Sequence, residues 1–158
     1  MTADTDTHPD VVVRQATPED AETVRTLIGE IAAHQAQSDS VTVTAAQWTG
    51  YLERPDIIVL LAEIDREPVG YVSAVRRLHL WSGGDIIALD DLYVRPGHRD
   101  AGVGRLLMTE LAGRSGGLTI AWGVQPDNDA AIRFYRRLGA TVRAKVVCAW
   151  PAARQPIP

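Results

Sequence analysis

Apolar positions recur along the chain with two different periods. Residues 11–16 form a short apolar run that predicts a strand. Thr17-Pro18-Glu19-Asp20 follows as an N-cap, a proline at the first helical position and an acid at N3. Val24, Leu27, Ile28 and Ile31 then fall at helical spacing, which predicts a helix over 18–37. Thr44 can cap a second, short helix carrying Trp48, Tyr51 and Leu52, stopped before Arg54-Pro55. Three strand-like segments come next, 57–64, 69–78 and 86–94, with turns at Asp65-Arg66-Glu67-Pro68 and Ser82-Gly83-Gly84-Asp85. Leu106, Leu107 and Leu111 mark a helix over 104–112, and 118–125 reads as a further strand. Asp127 or Asn128 can cap a helix through Leu138 with Gly139 at its C′ position, and 141–150 is expected to close the domain as a strand. The order β α α β β β α β α β predicts an α/β (α+β) fold, a mixed sheet with helices on both faces.

The ends of the chain set the expected domain limits. Residues 1–10 read as a loose tail, 11–150 as a single domain, and 151–158 (PAARQPIP) as a second tail running over the surface. The 158 residues are 46% apolar, enough for a sizeable core, and no apolar run approaches the length of a membrane span. The acidic, polar N-terminus does not read as a secretory signal, and the lone Cys148 suits a reducing, cytoplasmic setting. Cys148 sits among Val146, Val147 and Trp150, a pattern that predicts a buried, inert thiol.

Charge changes the picture only locally. The net charge of −4 is the wrong sign for a nucleic-acid binder. It divides into −6 over residues 1–40 (eight acids, two bases) and +5 over residues 129–158 (one acid, six bases). An acidic front suits a cationic small molecule and a basic back an anionic one, although two solvated faces would give the same numbers. The four histidines, His8, His34, His79 and His98, lack ligand-like spacing, so no metal is expected.

The chemistry concentrates in 89–107, LDDLYVRPGHRDAGVGRLL. A strand runs through a Pro96-Gly97 turn into a loop whose Gly102 and Gly104 open directly into an apolar helix. Unpaired N–H groups in a first helical turn, the positive helix end and the Arg99 guanidinium together suit a pyrophosphate. A plain strand-to-helix turn that uses glycine for packing fits the same residues. The dinucleotide fingerprint lacks its third glycine and its acid, and the Walker loop lacks Gly-Lys-Ser/Thr.

With Arg99-x-x-Gly102-x-Gly104 after a strand, and Asn128…Phe134-Tyr135…Leu138-Gly139-Ala140 later, the chain resembles the GNAT N-acetyltransferases over roughly residues 11–150. The resemblance implies a mixed, mostly antiparallel sheet flanked by helices and acetyl-CoA as co-substrate. In that family the strand matching Leu92, Tyr93 and Val94 faces the pantetheine and thioester. The loop matching Asp100, Ala101, Gly102, Val103, Gly104 and Arg105 binds the pyrophosphate through backbone N–H groups. Asn128 matches a residue that holds the pantetheine arm, and Tyr135 the usual general acid beside the sulfur. Those roles suit the residue types, because backbone donors stabilise an oxyanion and a phenol can protonate a thiolate.

Leu80-Trp81, Leu89-Asp90-Asp91-Leu92-Tyr93-Val94 and Trp122 look like the diamine (spermidine/spermine) branch. That likeness implies a primary amine on a small cationic, diamine- or polyamine-like acceptor. Asp90 would contact the amine and relay its proton, with Asp91, Trp81 and Trp122 lining the acceptor site. An alkylamine near pKa ~10.4 is neutral in fewer than about one molecule in a thousand at pH 7, so the site must favour the free base by about 4–5 kcal/mol. Three departures weaken the polyamine reading. Asp100 stands where glycine is usual, His34-Gln35 replaces a Tyr-Glu pair, and His79 replaces an acid. Other acceptors (an aminoglycoside, an amino acid, a protein N-terminus) and a catalytically weak acyl-CoA sensor remain open, and the family's habit makes a homodimer the expected assembly.

Overall fold

The computed structural model describes residues 10–156, so the expected leading tail, apart from Asp10, lies outside the described residues, as do His8 and the last two prolyl-terminated positions, 157–158. The chain divides into two compact units, one through Trp122 and one from Gly123.

The first unit holds the sheet, with strands β1 (Val11–Gln15), β2 (Ile57–Ile64), β3 (Glu67–His79), β4 (Gly84–Val94) and β5 (Ile120–Ala121) in that spatial order. Neighbours are antiparallel except β4 and β5, which run parallel. Helices α1 (Ala21–His34) and α2 (Ala45–Leu52) cover one face. There Val24 and Leu27 pack on Val59, Leu61, Tyr71 and Tyr93, with Trp48 and Leu52 at the margin. The alternate residues Leu60, Val72 and Ile87 are also buried, on the opposite face, where α3 (Val103–Arg114) packs across β1–β4 with Val103, Leu107, Met108 and Leu111 inward. Two apolar faces on one sheet require two helical layers, as the alternation predicts.

The local signals explain most boundaries. Thr17 and Asp20 form a capping box, but Pro18–Asp20 winds as a 3-10 turn before α1 begins at Ala21. The helix stops at His34, short of the expected 37, where Ala36 turns left-handed at φ 54°. Thr44 caps α2 reciprocally with Gln47. The β2–β3 turn tightens to Asp65 and Arg66, both left-handed (φ 51° and 68°), and Glu67-Pro68 already belong to β3. Two positive φ values at the centre of a two-residue turn match the twist of the strands they join.

Arginine fastens the outer edges of this unit. Arg14 on β1 reaches Asp20 at 2.7 Å and Glu63 on β2 at 2.7 Å. Asp20 also accepts the Thr17 N–H, and the guanidinium beside it holds its carboxyl down at about 2.

Two expected strands change. Only Ile120 and Ala121 of 118–125 pair with β4, opposite Ile87 and Ala88. The segment 141–150 forms no strand at all. Its alternation is strand-like, but the second unit holds no strand among the described residues to satisfy its backbone, and period two without a partner does not make a sheet. Val146, Val147 and Trp150 are exposed there, and Cys148, expected to be buried, is exposed with them. The second unit otherwise holds α4 (Asp129–Arg137), capped by the Asn128 side chain on the Ala131 N–H, and Gly139 follows at φ 92°. A 3-10 turn at Ala152–Arg154 ends the described chain, tied by Trp150 Nε1–H to the Arg154 carbonyl.

Candidate active site

The geometry of β4 organises the candidate site. Register with β3 runs from Tyr71 opposite Tyr93 to Ser73 opposite Asp91, then jumps to Ala74 opposite Leu89. Asp90 is therefore the extra residue of a β-bulge. The bulge reverses which face the strand presents. Ile87 and Leu89 enter the core opposite α1, whereas Asp91 and Tyr93 share the α1 face with Ser73 and Tyr71. Without that extra residue, Asp91 would fall on the same face as Leu89 and Ile87.

Beyond Ala88, β4 has no strand partner on its β5 side among the described residues. Leu92, Tyr93 and Val94 thus lie along an edge whose backbone is available for pairing with an extended ligand. The strand is held at its far end by Arg95. Its guanidinium donates to Glu30 on α1 at 3.0 and 2.7 Å and to the Pro68 carbonyl at 2.6 Å. The Tyr93 hydroxyl joins Glu30 at 3.3 Å. The Arg95 hydrogen bonds hold the Glu30 carboxyl below its usual range.

After Pro96–His98, a 3-10 turn, the chain bends through Asp100 (φ 63°) and Gly102 (φ 80°) into α3. Asp100 occupies a left-handed position that asparagine, aspartate and glycine tolerate best, which is why glycine is at home there. The first helical hydrogen bond is Leu106 N–H to Gly102 O. Ahead of it lie the N–H groups of Val103, Gly104 and Arg105, and Gly102 supplies no side-chain cap. Arg99 is anchored by Nε to the Val94 carbonyl at 2.9 Å, with its guanidinium 6.0 Å from the Tyr93 ring centre. Uncapped amides, a positive helix end and a fixed guanidinium fit a phosphate. Asp100 is exposed beside them and is the one feature that opposes an anion.

On the α1 face a cavity of about 400 Å³ opens among α2, β3 and β4. Its walls include Asp90 and Asp91 from the bulge, Ser73 from β3, and Trp48 and Tyr51 from α2. Asp90 opens to solvent and Asp91 is half-buried. Desolvation raises both carboxyls. The Asp91 charge adds to the rise at Asp90, while a 2.9 Å hydrogen bond from the Tyr71 hydroxyl opposes it at Asp91. No base pairs with either acid among the described residues, since Arg95 is committed to Glu30.

Of the other sequence-predicted residues in the first unit, neither Trp81 nor Trp122 is among the cavity's lining. Trp81 lies at the tip of the β3–β4 hairpin, 97% exposed and outside the lining, because the turn after His79 carries it beyond the sheet. Trp122 is half-buried at the end of the first unit. In the second unit Tyr135 lies on α4 against Phe134 (ring centres 5.3 Å apart), and desolvation raises its phenol. Asn128 is the cap of that helix. Among the described residues no group of three or more His, Cys, Asp or Glu is placed to hold a metal. The wall residues Trp48, Tyr51 and Ser40–Val43 were not among the residues singled out from sequence. The Thr44 cap that positions α2 was the only sign pointing toward them.

A model of the Acetyltransferase (GNAT) family matches residues 22–140. The thialysine N-epsilon-acetyltransferase of Caenorhabditis elegans is 31% identical over 122 residues, covering 75% of this chain and 76% of the relative. That of Bos taurus is 31% identical over 143 residues, covering 82% and 84%. Among solved structures, an aminoglycoside acetyltransferase from an uncultured soil metagenomic sample, in complex with sisomicin, superposes with a TM-score of 0.76 at 17% identity, covering 90% of this chain and 95% of the other. Aminoglycoside N-acetyltransferase AAC(6')-Iy in complex with CoA gives 0.72 at 17%, covering 91% and 96%. The structural likenesses carry the fold, and the family match together with the sequence relatives carries the membership: this chain belongs to the GNAT family and is an N-acetyltransferase.

Proposed function

We propose that this enzyme transfers acetyl from acetyl-CoA to a primary amine on a small cationic acceptor, by direct attack in a ternary complex within one domain spanning residues 11–150. The observation that carries the reading is the pair of base-free carboxylates, Asp90 and Asp91, in a cavity bordering the open edge of β4. Such a pair attracts an ammonium ion, and a carboxylate kept partly desolvated is a better proton acceptor than an ordinary one. In this reading the pyrophosphate sits on the first-turn amides of α3, with Arg99 alongside. Leu92, Tyr93 and Val94 pair with the pantetheine, and Asn128 steadies its arm. Asp90 relays the proton away from the ammonium, and the free amine attacks the thioester carbon. The C–S bond then breaks, and Tyr135 protonates the departing thiolate.

The α2 side of the cavity favours a particular kind of acceptor. Ile28, Ser40, Val41, Thr42, Val43, Trp48 and Tyr51 bring no carboxylate to that wall. A long polycation would find acids only at the bulge, so an acceptor with one ammonium there and an uncharged or anionic remainder suits the lining better than spermidine. This observation favours an amino-acid amine as the second reading, in keeping with the thialysine named for the relatives. A cytoplasmic homodimer belongs to the same proposal. No helix among the described residues is long and apolar enough to cross a membrane, and exposed Leu80 and Trp81 offer surface for a second copy to cover.

Thiol release from acetyl-CoA across a panel of diamines, basic amino acids and aminoglycosides tests the proposal. The expected result is amine-dependent release, fastest with a short monoamine or basic amino acid. Tight cofactor binding without release for any amine would make the chain a sensor instead. Tyr135→Phe is expected to lower turnover by about 100-fold with acetyl-CoA affinity nearly unchanged, as loss of a general acid does. An unaltered rate removes Tyr135 from that role.

A further inference from the structure

A second cavity, of about 290 Å³, lies at the end of the sheet where β2 and β4 begin, away from the bend that leads into α3. Three arginines line it, Arg54, Arg76 and Arg114, and no acid does. Two of them are fixed in place. Arg54 donates Nε and Nη2 to Asp56 at 3.0 and 2.6 Å, and Arg76 donates Nε to Asp85 at 2.6 Å. The Arg76 backbone N–H also meets the Asp56 carbonyl at 2.7 Å, so Asp56 ties the two arginines together. A guanidinium carries five N–H donors, and these contacts engage only part of each fork. Arg114, in the last turn of α3, stands 4.0 Å from Glu110. The rest of the wall combines the apolar Leu52, Pro55, Ile57, Ile58 and Ile87 with the polar Gln15 and Ser115.

We propose that this cavity binds a small organic polyanion, its carboxylates or phosphate held by Arg54, Arg76 and Arg114 and its carbon body against the isoleucines. Planar forks recognise both anion types, and three of them around one apolar floor select for more than one negative charge. The site lies directly behind the proposed acceptor wall. Ile57 lines both cavities, and α2 gives Leu52 to this one while Trp48 and Tyr51 face the other. An anion bound here braces α2 from behind, so its occupancy is felt at the wall that meets the acceptor. This coupling rests on the acceptor reading above; the binding itself does not.

Isothermal titration with citrate, and separately with inorganic phosphate, tests the site on the full chain without acetyl-CoA or amine, and the Arg114→Gln and Arg99→Gln variants separate this cavity from the phosphate-fitting bend before α3. Saturable binding of at least one probe is expected. Arg114→Gln is expected to weaken it at least fivefold, and Arg76→Gln together with Arg114→Gln to abolish it. Arg99→Gln should change the Arg114-dependent binding less than twofold. Preference for citrate assigns the carboxylate class, and preference for phosphate the phosphate class. Hydrogen exchange over residues 45–58 should slow when the probe binds. Absence of binding to the wild-type chain, or binding lost in Arg99→Gln and retained in Arg114→Gln, overturns the site. Arg114 is exposed on a helix surface, so that variant folds even if the Arg76 change disturbs the Asp85 pair. Binding without added protection over 45–58 overturns the link to α2.

Discussion

Two groups of acids in the same unit are handled in opposite ways. Asp20, Glu63 and Glu30 each meet an arginine, Arg14 or Arg95, at 2.7 Å, and Asp20 and Glu30 are shifted toward greater acidity. Asp90 and Asp91 sit side by side without a base, and both are shifted toward weaker acidity. The first group joins β1 to β2 and α1 to the end of β4, where charge holds elements together. The second group occupies a bulge beside a cavity, where two adjacent carboxylates cost stability and recover within the chain only the Tyr71 hydroxyl's hydrogen bond to Asp91. Unpaired, desolvated charge that the fold does not use is a mark of a site prepared for a ligand. Here the missing partner is an ammonium.

The comparison is broken most forcefully at Asp90. Asp90→Asn is expected to lower kcat/KM for the amine by about 100-fold while the acetyl-CoA KM stays within twofold, because a proton relay and a cation contact go together. Asp90→Glu should recover most of the rate. Equal rates in the wild type and the Asn variant would remove Asp90 from the chemistry.

Next comes the opposite manipulation in the paired group. Asp20→Ala removes the Arg14 contacts and the Thr17 N–H acceptor together, and should cost about 2 kcal/mol in urea unfolding at pH 7 with kcat unchanged. The folded carboxyl, at about 2, lies below its ordinary 3.8, so its contribution is fully present above about pH 4 and disappears as the pH falls toward 2. The variant and the wild type should therefore converge in stability across that window.

The smallest effect is expected at Asp91, and its sign is the informative part. A raised carboxyl pKa means the folded chain holds the proton more tightly than the unfolded chain. The penalty is absent at low pH and appears as the pH climbs through the raised value. Asp91→Asn, which keeps an oxygen for the Tyr71 hydroxyl, should raise the urea midpoint at pH 7, a gain of a fraction of a kcal/mol in unfolding free energy. The gain should vanish as the pH enters the ordinary carboxylate range. A midpoint that falls at pH 7 would place Asp91 among the structural acids.

Much of this was legible from the residues. The caps at Thr17, Thr44 and Asn128 placed three helices because capping is a local interaction, complete within four residues. The glycine-bearing bend before α3 was visible for the same reason, and Asp100 in left-handed geometry explains the departure noted there. The bulge at Asp90 was not legible, because an extra residue exists only relative to the strand opposite, and the residues of β4 alone do not carry their register with β3. Trp48 and Tyr51 were missed as cavity walls because it is the packing of α2 on the sheet that brings them to Asp90. The expected strand over 141–150 does not form. The same misplaced inference buried Cys148, since both assumed a neighbour that the second unit does not contain.

The β2–β3 turn has a practical corollary. Asp65 and Arg66 hold left-handed geometry without glycine or asparagine, so the pairing of β2 with β3 fixes the connection and the connection does little to fix the pairing. A backbone whose register survives an arginine in left-handed geometry should accept an insertion there, which makes this exposed corner the natural place to graft a reporter.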